Sequence, residues 1–236
     1  MQSKAFLRML EVLASASEDS ELIDSLTYSG FYSGPYKVYQ NEKVPSLGKN
    51  SPDWHNILKD PPSNSSVQTK NELKTIKSAV EKSRSPKAVE KILIADRDMN
   101  YLFLKAADVS SFSDYENQII ETLYKYILPV VTNLKNKFDR PRPYQIGGVL
   151  DVPIEHITTS THHTPAYPSG HAAYGAMMAR ILSYTRPEKS QEFYEVQNEI
   201  AEARVQQGVH YPSDNLASFI LVETIWKFFK NNVLKD

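Results

Sequence analysis

The chain contains no cysteine, and it has almost no net charge. The absence of cysteine from the 236 residues excludes disulfide bonds, thiolate catalysis and cysteine-based zinc sites, although it does not fix the compartment. A formal net charge of −1 creates no overall field that would attract nucleic acid or an anionic membrane. We therefore expect no nucleic-acid partner, and any anion-binding site must be local.

Long apolar runs are also missing. The longest purely apolar segments, such as residues 219–222, are far too short to span a bilayer. Lys4, Arg8 and Glu11 interrupt the apolar residues near the N-terminus, which predicts an amphipathic helix there and not a signal peptide. We expect a soluble, cytoplasmic protein without a transmembrane segment. Its sequence is compatible with a homo-oligomer.

Helical patterns dominate, and no alternation of apolar and polar residues is long enough to build a sheet. Residues 1 to about 25 have a helical pattern. The stretch up to residue 68 is rich in glycine, proline and aromatic residues, which predicts an irregular segment packed on the domain. We predict an all-α protein in which residues 1–68 pack against a helical domain of residues 69–236, as one structural unit.

Capping residues predict where the helices begin. Thr69 with Glu72, and Ser113 with Glu116, have the spacing of a capping box, and Ser85 precedes a proline as an N-cap often does. The helix after Ser113 carries a stripe of apolar residues at helical spacing: Leu123, Ile127, Val130, Leu134 and Phe138. Further helices are predicted over about 170–184, over 188–207 and from Pro212 to about residue 229.

A first cluster of positive charge lies where the long helix ends. Prolines on both sides hold Arg142 on a stiff exit, where its planar guanidinium can bind two oxygens of one anion. Lys135 can offer a compact charge to another oxygen. Lys137 and Arg140 are expected to be the solvated members of the cluster. Taken alone, a basic helix end is the simpler explanation.

The second motif, Pro168-Ser169-Gly170-His171, opens the next helix. Ser169 is the expected N-cap, and Gly170 lets an anion approach the backbone N–H groups of the first turn. His171 then projects from that turn. An ordinary capped helix with an incidental histidine explains these four residues equally well.

The third motif contains Arg204, His210 and Asp214. Arg204 continues an apolar helical stripe, so it is expected on a buried face, where a guanidinium needs an anionic partner. No acidic residue lies one turn away on that stripe, so a bound oxyanion is expected to satisfy it. Gly208 ends the helix and lets His210 turn back. Asp214 can then hold one ring nitrogen of His210 and leave the other free, although for the pair taken alone a purely structural role is slightly favoured.

Together the three motifs form a specific pattern. Lys-x6-Arg-Pro, Pro-Ser-Gly-His and Arg-x5-His-x3-Asp, over residues 135–214, resemble the signature of the type 2 phosphatidic acid phosphatase (PAP2) superfamily. This superfamily also contains bacterial non-specific acid phosphatases and vanadium-dependent haloperoxidases. The resemblance implies a helical bundle fold. One departure is Ala203, where the superfamily often has serine, so one phosphate hydrogen bond is expected to be missing or replaced.

The resemblance implies a metal-independent phosphohydrolase that cleaves phosphomonoesters or diphosphates of small molecules without a cofactor. His210 would attack phosphorus and form a phosphohistidine, Asp214 would support it, and His171 would protonate the leaving oxygen and then activate water. The implied phosphate ligands are Lys135, Arg142, Ser169, Gly170 and Arg204.

Three alternatives remain. The segment 164–172 resembles the haloperoxidase branch, in which the same pocket would hold vanadate on His210, and His162 and His163 can line its entrance or be exposed loop residues. A non-enzymatic phosphate-binding protein would not need His171 as well as His210. A metal site is disfavoured, because no two of the six histidines have a close His-x3-His ligand spacing.

Overall fold

The structure, a computed structural model, describes residues 20–31, 43–159 and 161–234. Within these ranges the chain forms helices and no strand, so the predicted all-α fold is confirmed. No helix of the described ranges is long and apolar enough to cross a membrane. The N-terminal helix predicted for residues 1 to about 25 falls mainly outside the described residues.

The helices are numbered here in chain order, and short 3-10 turns lie at Trp54–Asn56 and Pro187–Lys189. Their bounds are α1 Ser20–Asp24, α2 Tyr28–Phe31, α3 Val67–Lys82, α4 Pro86–Arg97, α5 Met99–Ala107, α6 Asp114–Phe138, α7 Pro143–Ile146, α8 Gly170–Thr185, α9 Ser190–Gln206 and α10 Pro212–Asn232.

Ser85 and Ser113 cap α4 and α6 as predicted, and Ser113 forms a full capping box with Glu116. The predicted capping box of Thr69 with Glu72 is wrong. Ser66 caps α3 instead, because its hydroxyl accepts from the N–H of Thr69 at 3.1 Å. The side chain of Glu72 is therefore available for a distant part of the fold.

Helix α8 lies at the centre of the fold and packs against α6, α9 and α10. Small buried residues allow these close contacts. A Cβ atom at Gly175 would meet the Cδ1 atom of Ile200 in α9 at 3.4 Å. The predicted stripe of α6 faces this core, with Leu123, Ile127, Val130 and Leu134 buried. Helix α9 in turn packs against α3, α4 and α5, so it connects these three helices to the central helix α8.

The irregular segment before α3 packs against the helical domain where the structure describes it. Leu58 is buried in the main core. The side-chain amide of Asn64 donates to the carbonyls of Ile23 and Leu26 at 3.0 and 2.8 Å. Tyr28 is fully buried, and its N–H donates to the carbonyl of Asp139 just after α6. The boundary predicted between residues 68 and 69 falls inside the first turn of α3.

Gly208 ends the turn between α9 and α10 with a φ of +82°, in the left-handed region that favours glycine. An added Cβ atom would lie 2.9 Å from a methyl group of Ile154 and 3.1 Å from one of Val80. The chain reverses here, and two residues later it delivers His210, whose N–H donates to the carbonyl of Arg204. Gly208 therefore places the third motif, as the sequence predicts.

We predict that Gly208→Ala destabilises the fold by roughly 2 to 4 kcal/mol, because the new methyl group meets both strain and steric overlap. Gly148→Ala is the matched control, since that glycine is exposed and a Cβ atom there meets nothing within 4 Å. The control should shift stability by no more than about 0.5 kcal/mol. Urea unfolding of both variants measures the difference, and equal stabilities would contradict this role for Gly208.

Candidate active site

A cavity of about 430 Å³ lies between α6 and α8 and the loop that precedes α8. The predicted site residues that line it are Lys135, Arg142, Gly170, His171 and His210. Ser169, Arg204 and Asp214 lie behind this lining. The three motifs, which are up to 79 positions apart in the chain (135 to 214), thus meet around one space.

His210 and Asp214 form the buried pair predicted from the sequence. The Nδ1 atom of His210 lies 3.0 Å from the Oδ2 atom of Asp214, which also accepts from the N–H of Tyr211. Since a carboxylate accepts, Nδ1 carries the proton and Nε2 keeps its lone pair. Burial, and then the charges of Arg142 and Lys135, hold the pKa of His210 well below its ordinary value. The imidazole is therefore neutral, with an unprotonated Nε2 atom at the cavity.

The neighbouring backbone holds Arg142 in place. Its Nε atom donates to the carbonyl of Thr164, and its Nη1 atom donates to the carbonyl of Val209, both at 2.8 Å. The same Nη1 atom donates to the unprotonated Nε2 atom of His210 at 2.8 Å. These neutral partners orient the guanidinium without cancelling its charge. An anion that accepts from Nη1 in place of Nε2 would lie directly beside His210 and release the lone pair of that nitrogen.

Lys135 has a similar environment. Its ammonium donates to the carbonyls of Pro165 and Ala166, and no carboxylate forms an ion pair with it in the described part of the chain. Burial, and then the charge of Arg142, hold the pKa of Lys135 well below its ordinary value. An anion in the cavity would raise this pKa, because it favours the charged ammonium.

Arg204 is buried as predicted, but the expectation that only a bound oxyanion could satisfy it is wrong. Its Nη1 atom donates to Asp96 of α4, a residue 108 positions earlier in the chain. Both side chains are 1% exposed, so the ion pair is shielded from water. Burial alone would raise the pKa of Asp96, but Arg204 and Thr161 outweigh it and keep that pKa below its ordinary value. The Nε atom of Arg204 is also buried and has no acceptor among the described residues.

His171 lies beside this ion pair. Its Nε2 atom is 3.0 Å from the backbone oxygen of Asp96 and 3.5 Å from the Oδ1 atom of the same residue. Burial, and then the charge of Arg204, lower the pKa of His171 to about 3. His171 is thus neutral at physiological pH unless negative charge enters the cavity. Asp96 links two of the predicted site residues, and sequence reasoning missed it.

Arg140 was predicted to be solvated, and this prediction is wrong. It is 2% exposed, and its Nη1 atom donates to the Oδ1 atom of Asp214 at 2.6 Å. Its guanidinium lies over the ring of Tyr211, 3.8 Å from the centroid. Glu72 lies 3.5 Å from the same guanidinium and accepts from the N–H and hydroxyl of Ser213, both at 2.8 Å. Arg140 and Glu72 therefore fix Asp214 from behind. Lys137, by contrast, is exposed as predicted.

The start of α8 contributes its backbone to the cavity. Ser169 caps the helix, and its hydroxyl accepts from the N–H of Ala172 at 3.4 Å. Because this hydroxyl faces the helix end and Ser169 is fully buried, the residue positions the turn and does not line the cavity. Gly170 does line it, so the first turn of the helix is open to an anion.

His162 and His163, for which an entrance role was the less favoured option, do not line the cavity. His163 is exposed, in agreement with the simpler expectation. His162 is only 4% exposed, and its ring contacts those of Tyr144, His156 and His163. Burial, and then the charge of His156, lower the pKa of His162 to about 3. This ring cluster supports the loop that carries Thr164.

Fold and site together define an all-helical domain with a local, cation-rich cavity and a neutral histidine supported by a carboxylate. Residues 121–235 match the family model of the PAP2 superfamily, so the resemblance seen in the motifs is confirmed over that region.

Two curated proteins are similar to part of this chain. A non-specific acid phosphatase of Salmonella typhimurium is 47% identical over 49 residues, and one of Salmonella typhi is 45% identical over the same length. Each match covers 21% of this chain, and the chain spans about a fifth of the length of either relative (20%).

We predict that sulfate binding takes up protons, because the anion raises the lowered pKa values of His171 and Lys135. For His171, the free-state value of about 3 rises on binding, so affinity should increase as the pH falls through the higher, bound-state pKa. Sulfate is a suitable probe because it stays a dianion between about pH 5 and 8, where histidine titrates. Calorimetry in buffers of different ionisation enthalpy measures the uptake, expected to approach about one proton per sulfate from His171.

His171→Gln should remove the contribution of His171, whereas His163→Gln, at an exposed histidine that does not line the cavity, should keep it. Proton uptake that is unchanged in His171→Gln would show that His171 does not sense the bound anion.

Proposed function

We propose that this protein is a metal-independent phosphohydrolase that cleaves phosphomonoesters or diphosphates through a phosphohistidine at His210. The observation that carries the proposal is the geometry of that residue. Its Nδ1–H is held by Asp214, and its unprotonated Nε2 atom lies at the cavity, where it accepts from Arg142 until an anion takes that N–H. A neutral imidazole so oriented is a nucleophile, and the surrounding cations are suited to the anion it would attack.

In the first step, Arg142, Lys135 and the N–H groups at the start of α8 hold the phosphate oxygens. The lone pair of His210 Nε2 forms a bond to phosphorus, and the bond from phosphorus to the ester oxygen breaks. The dianionic phosphate raises the pKa of His171, so that His171 is protonated and gives its proton to the leaving oxygen. Asp214 stabilises the positive charge that develops on His210, and Arg140 and Glu72 keep its carboxylate in place.

In the second step, His171 is neutral and takes a proton from water. The water oxygen bonds to phosphorus, the phosphorus–nitrogen bond breaks, and inorganic phosphate leaves with the nitrogen lone pair restored on His210. Arg204 lies behind the cavity lining and acts through its charge and through Asp96, which it shares with His171. Three fixed cations would supply the charge stabilisation that other phosphatases obtain from metal ions, at roughly 3 kcal/mol for each well-placed contact.

A vanadate-dependent haloperoxidase is the second candidate. The observation that favours it is the same unprotonated Nε2 atom of His210, because a lone pair that can attack phosphorus can also bind vanadium. The segment 164–172 points in the same direction, and it supplies Thr164, Gly170 and His171 to the cavity. Lys135 and Arg142 would hold the vanadate oxygens. The matches to acid phosphatases favour the hydrolase, so we rank that function first.

We predict that His210→Ala lowers kcat for 4-nitrophenyl phosphate by more than about a thousandfold, because the nucleophile is lost while the cations remain. His163→Ala is the matched control and should keep wild-type turnover. Helical circular dichroism establishes that both variants fold. Rapid quenching of the wild type with radiolabelled substrate should trap a phosphoryl group that is stable to base and labile to acid, and His210→Ala should lack it.

Two results would contradict the proposal. Turnover by His210→Ala near the wild-type rate would remove His210 from the nucleophile role. Halogenation in the presence of vanadate, peroxide and bromide that outruns phosphate ester hydrolysis by the same protein would favour the haloperoxidase.

A further inference from the structure

Above its charged floor, the cavity has a wall that phosphate binding does not use. Met99, Tyr124, Leu128, Val131 and Tyr174 form this apolar wall, whereas polar side chains elsewhere in the lining are those of Thr132, Asn136, Thr161 and Thr164. No carboxylate of the described residues lines the cavity. The ammonium and guanidinium groups that line it lie at its floor. The wall and the floor therefore differ in chemistry, as expected for a site that holds a charged head and an apolar body.

One face of α6 leads from the mouth of the cavity to the floor. Tyr124, Leu128, Val131 and Lys135 follow one another at spacings of four, three and four, so they share that face. Tyr124 and Leu128 are each 42% exposed, whereas Val131 and Lys135 are 4% and 7% exposed. The face thus changes from open apolar surface to a buried cation along about three turns.

The opposite side of the mouth comes from α8. Tyr174 follows His171 by three residues, so its side chain lies on the same face as the proposed acid. Its ring meets that of Tyr124 edge to face, with centroids 5.8 Å apart. Its hydroxyl donates to the side chain of Asn100, which anchors the ring. The two tyrosines therefore form an edge-to-face aromatic pair at the mouth, and Tyr174 lies about one helical turn from the residue that would protonate the leaving oxygen.

We propose that this wall binds the organic part of the substrate, and that the substrate is a phosphate ester of an uncharged group with an aromatic ring. The inference rests on the proposed function for the position of the phosphate, which directs the ester oxygen toward His171 and the organic group along α6. A cationic group would find no carboxylate there. A polyol would lose hydrogen bonds to water against methyl, thioether and ring carbons, whereas an aromatic ring gains contact with Tyr124 and Tyr174.

The first test compares the binding of 2-phenylethylphosphonate and methylphosphonate, which share an anionic head and cannot be hydrolysed. Calorimetry should show that the wild type binds the aromatic compound about tenfold more tightly. Tyr124→Ala and Leu128→Ala should each reduce this preference to about threefold or less. Both residues are partly exposed, so their loss should not unfold the protein. Tyr115→Ala is the matched control, because Tyr115 is an exposed tyrosine of the same helix outside the cavity, and it should keep the full preference.

Equal binding of the two phosphonates by the wild type, or the same loss of preference in Tyr115→Ala as in Tyr124→Ala, would overturn the inference. A failure of 2-phenylethylphosphonate to bind would overturn it as well.

The second test separates this inference from the proposed function. Phosphate release is measured from 2-phenylethyl phosphate and from glycerol 3-phosphate, whose leaving groups are both alkoxides. We expect a higher kcat/KM for the aromatic ester, and expect Tyr124→Ala to remove most of the difference. Equal kcat/KM values would overturn the aromatic preference and leave the phosphohydrolase intact. Hydrolysis of neither ester, combined with preferential binding of 2-phenylethylphosphonate, would contradict the proposed function and support the aromatic site.

Discussion

The surplus of buried positive charge over buried negative charge is the constraint on which the site depends. Arg140 and Arg204 have carboxylate partners in Asp214 and Asp96, whereas Lys135 and Arg142 contact backbone carbonyls and one imidazole in the described structure. Uncompensated buried charge costs several kcal/mol. Burial, and then the charges of the nearby cations, depress the pKa values of both site histidines. An oxyanion in the cavity would relieve this cost, as the proposed function requires.

This arrangement requires distant parts of the chain to converge. The turn at Gly208 brings His210 back under the carbonyl of Arg204, and the extended segment before α8 supplies the carbonyls that hold Lys135 and Arg142. Helices α3 and α4, which precede the matched family region, then provide the supporting carboxylates of Glu72 and Asp96. The part of the chain without motifs is thus needed to orient the part that carries them.

The sequence predicted the features that depend on local chemistry. Ser85, Ser113 and Ser169 cap helices as expected, and His210 pairs with Asp214 four residues away. The supporting residues were missed because their partners are far away in the chain. Asp96 meets Arg204 across 108 positions and Glu72 meets Ser213 across 141. Asp96 belongs to no recognisable pattern, and the spacing of Glu72 from Thr69 suggested a local cap instead of a distant partner. The burial of Arg140 could have been suspected only from its place inside the Arg-Pro-Arg-Pro run.

The convergence of the cations on one anion can be tested most directly by anomalous diffraction from a crystal soaked in tungstate. The account predicts one strongly occupied tungsten site in the cavity, with its oxygens held by Lys135 and Arg142 and the metal next to the Nε2 atom of His210. Lys135 should turn away from the carbonyls of Pro165 and Ala166 to reach it. Tungstate bound only elsewhere, with Lys135 still on those carbonyls, would contradict the account.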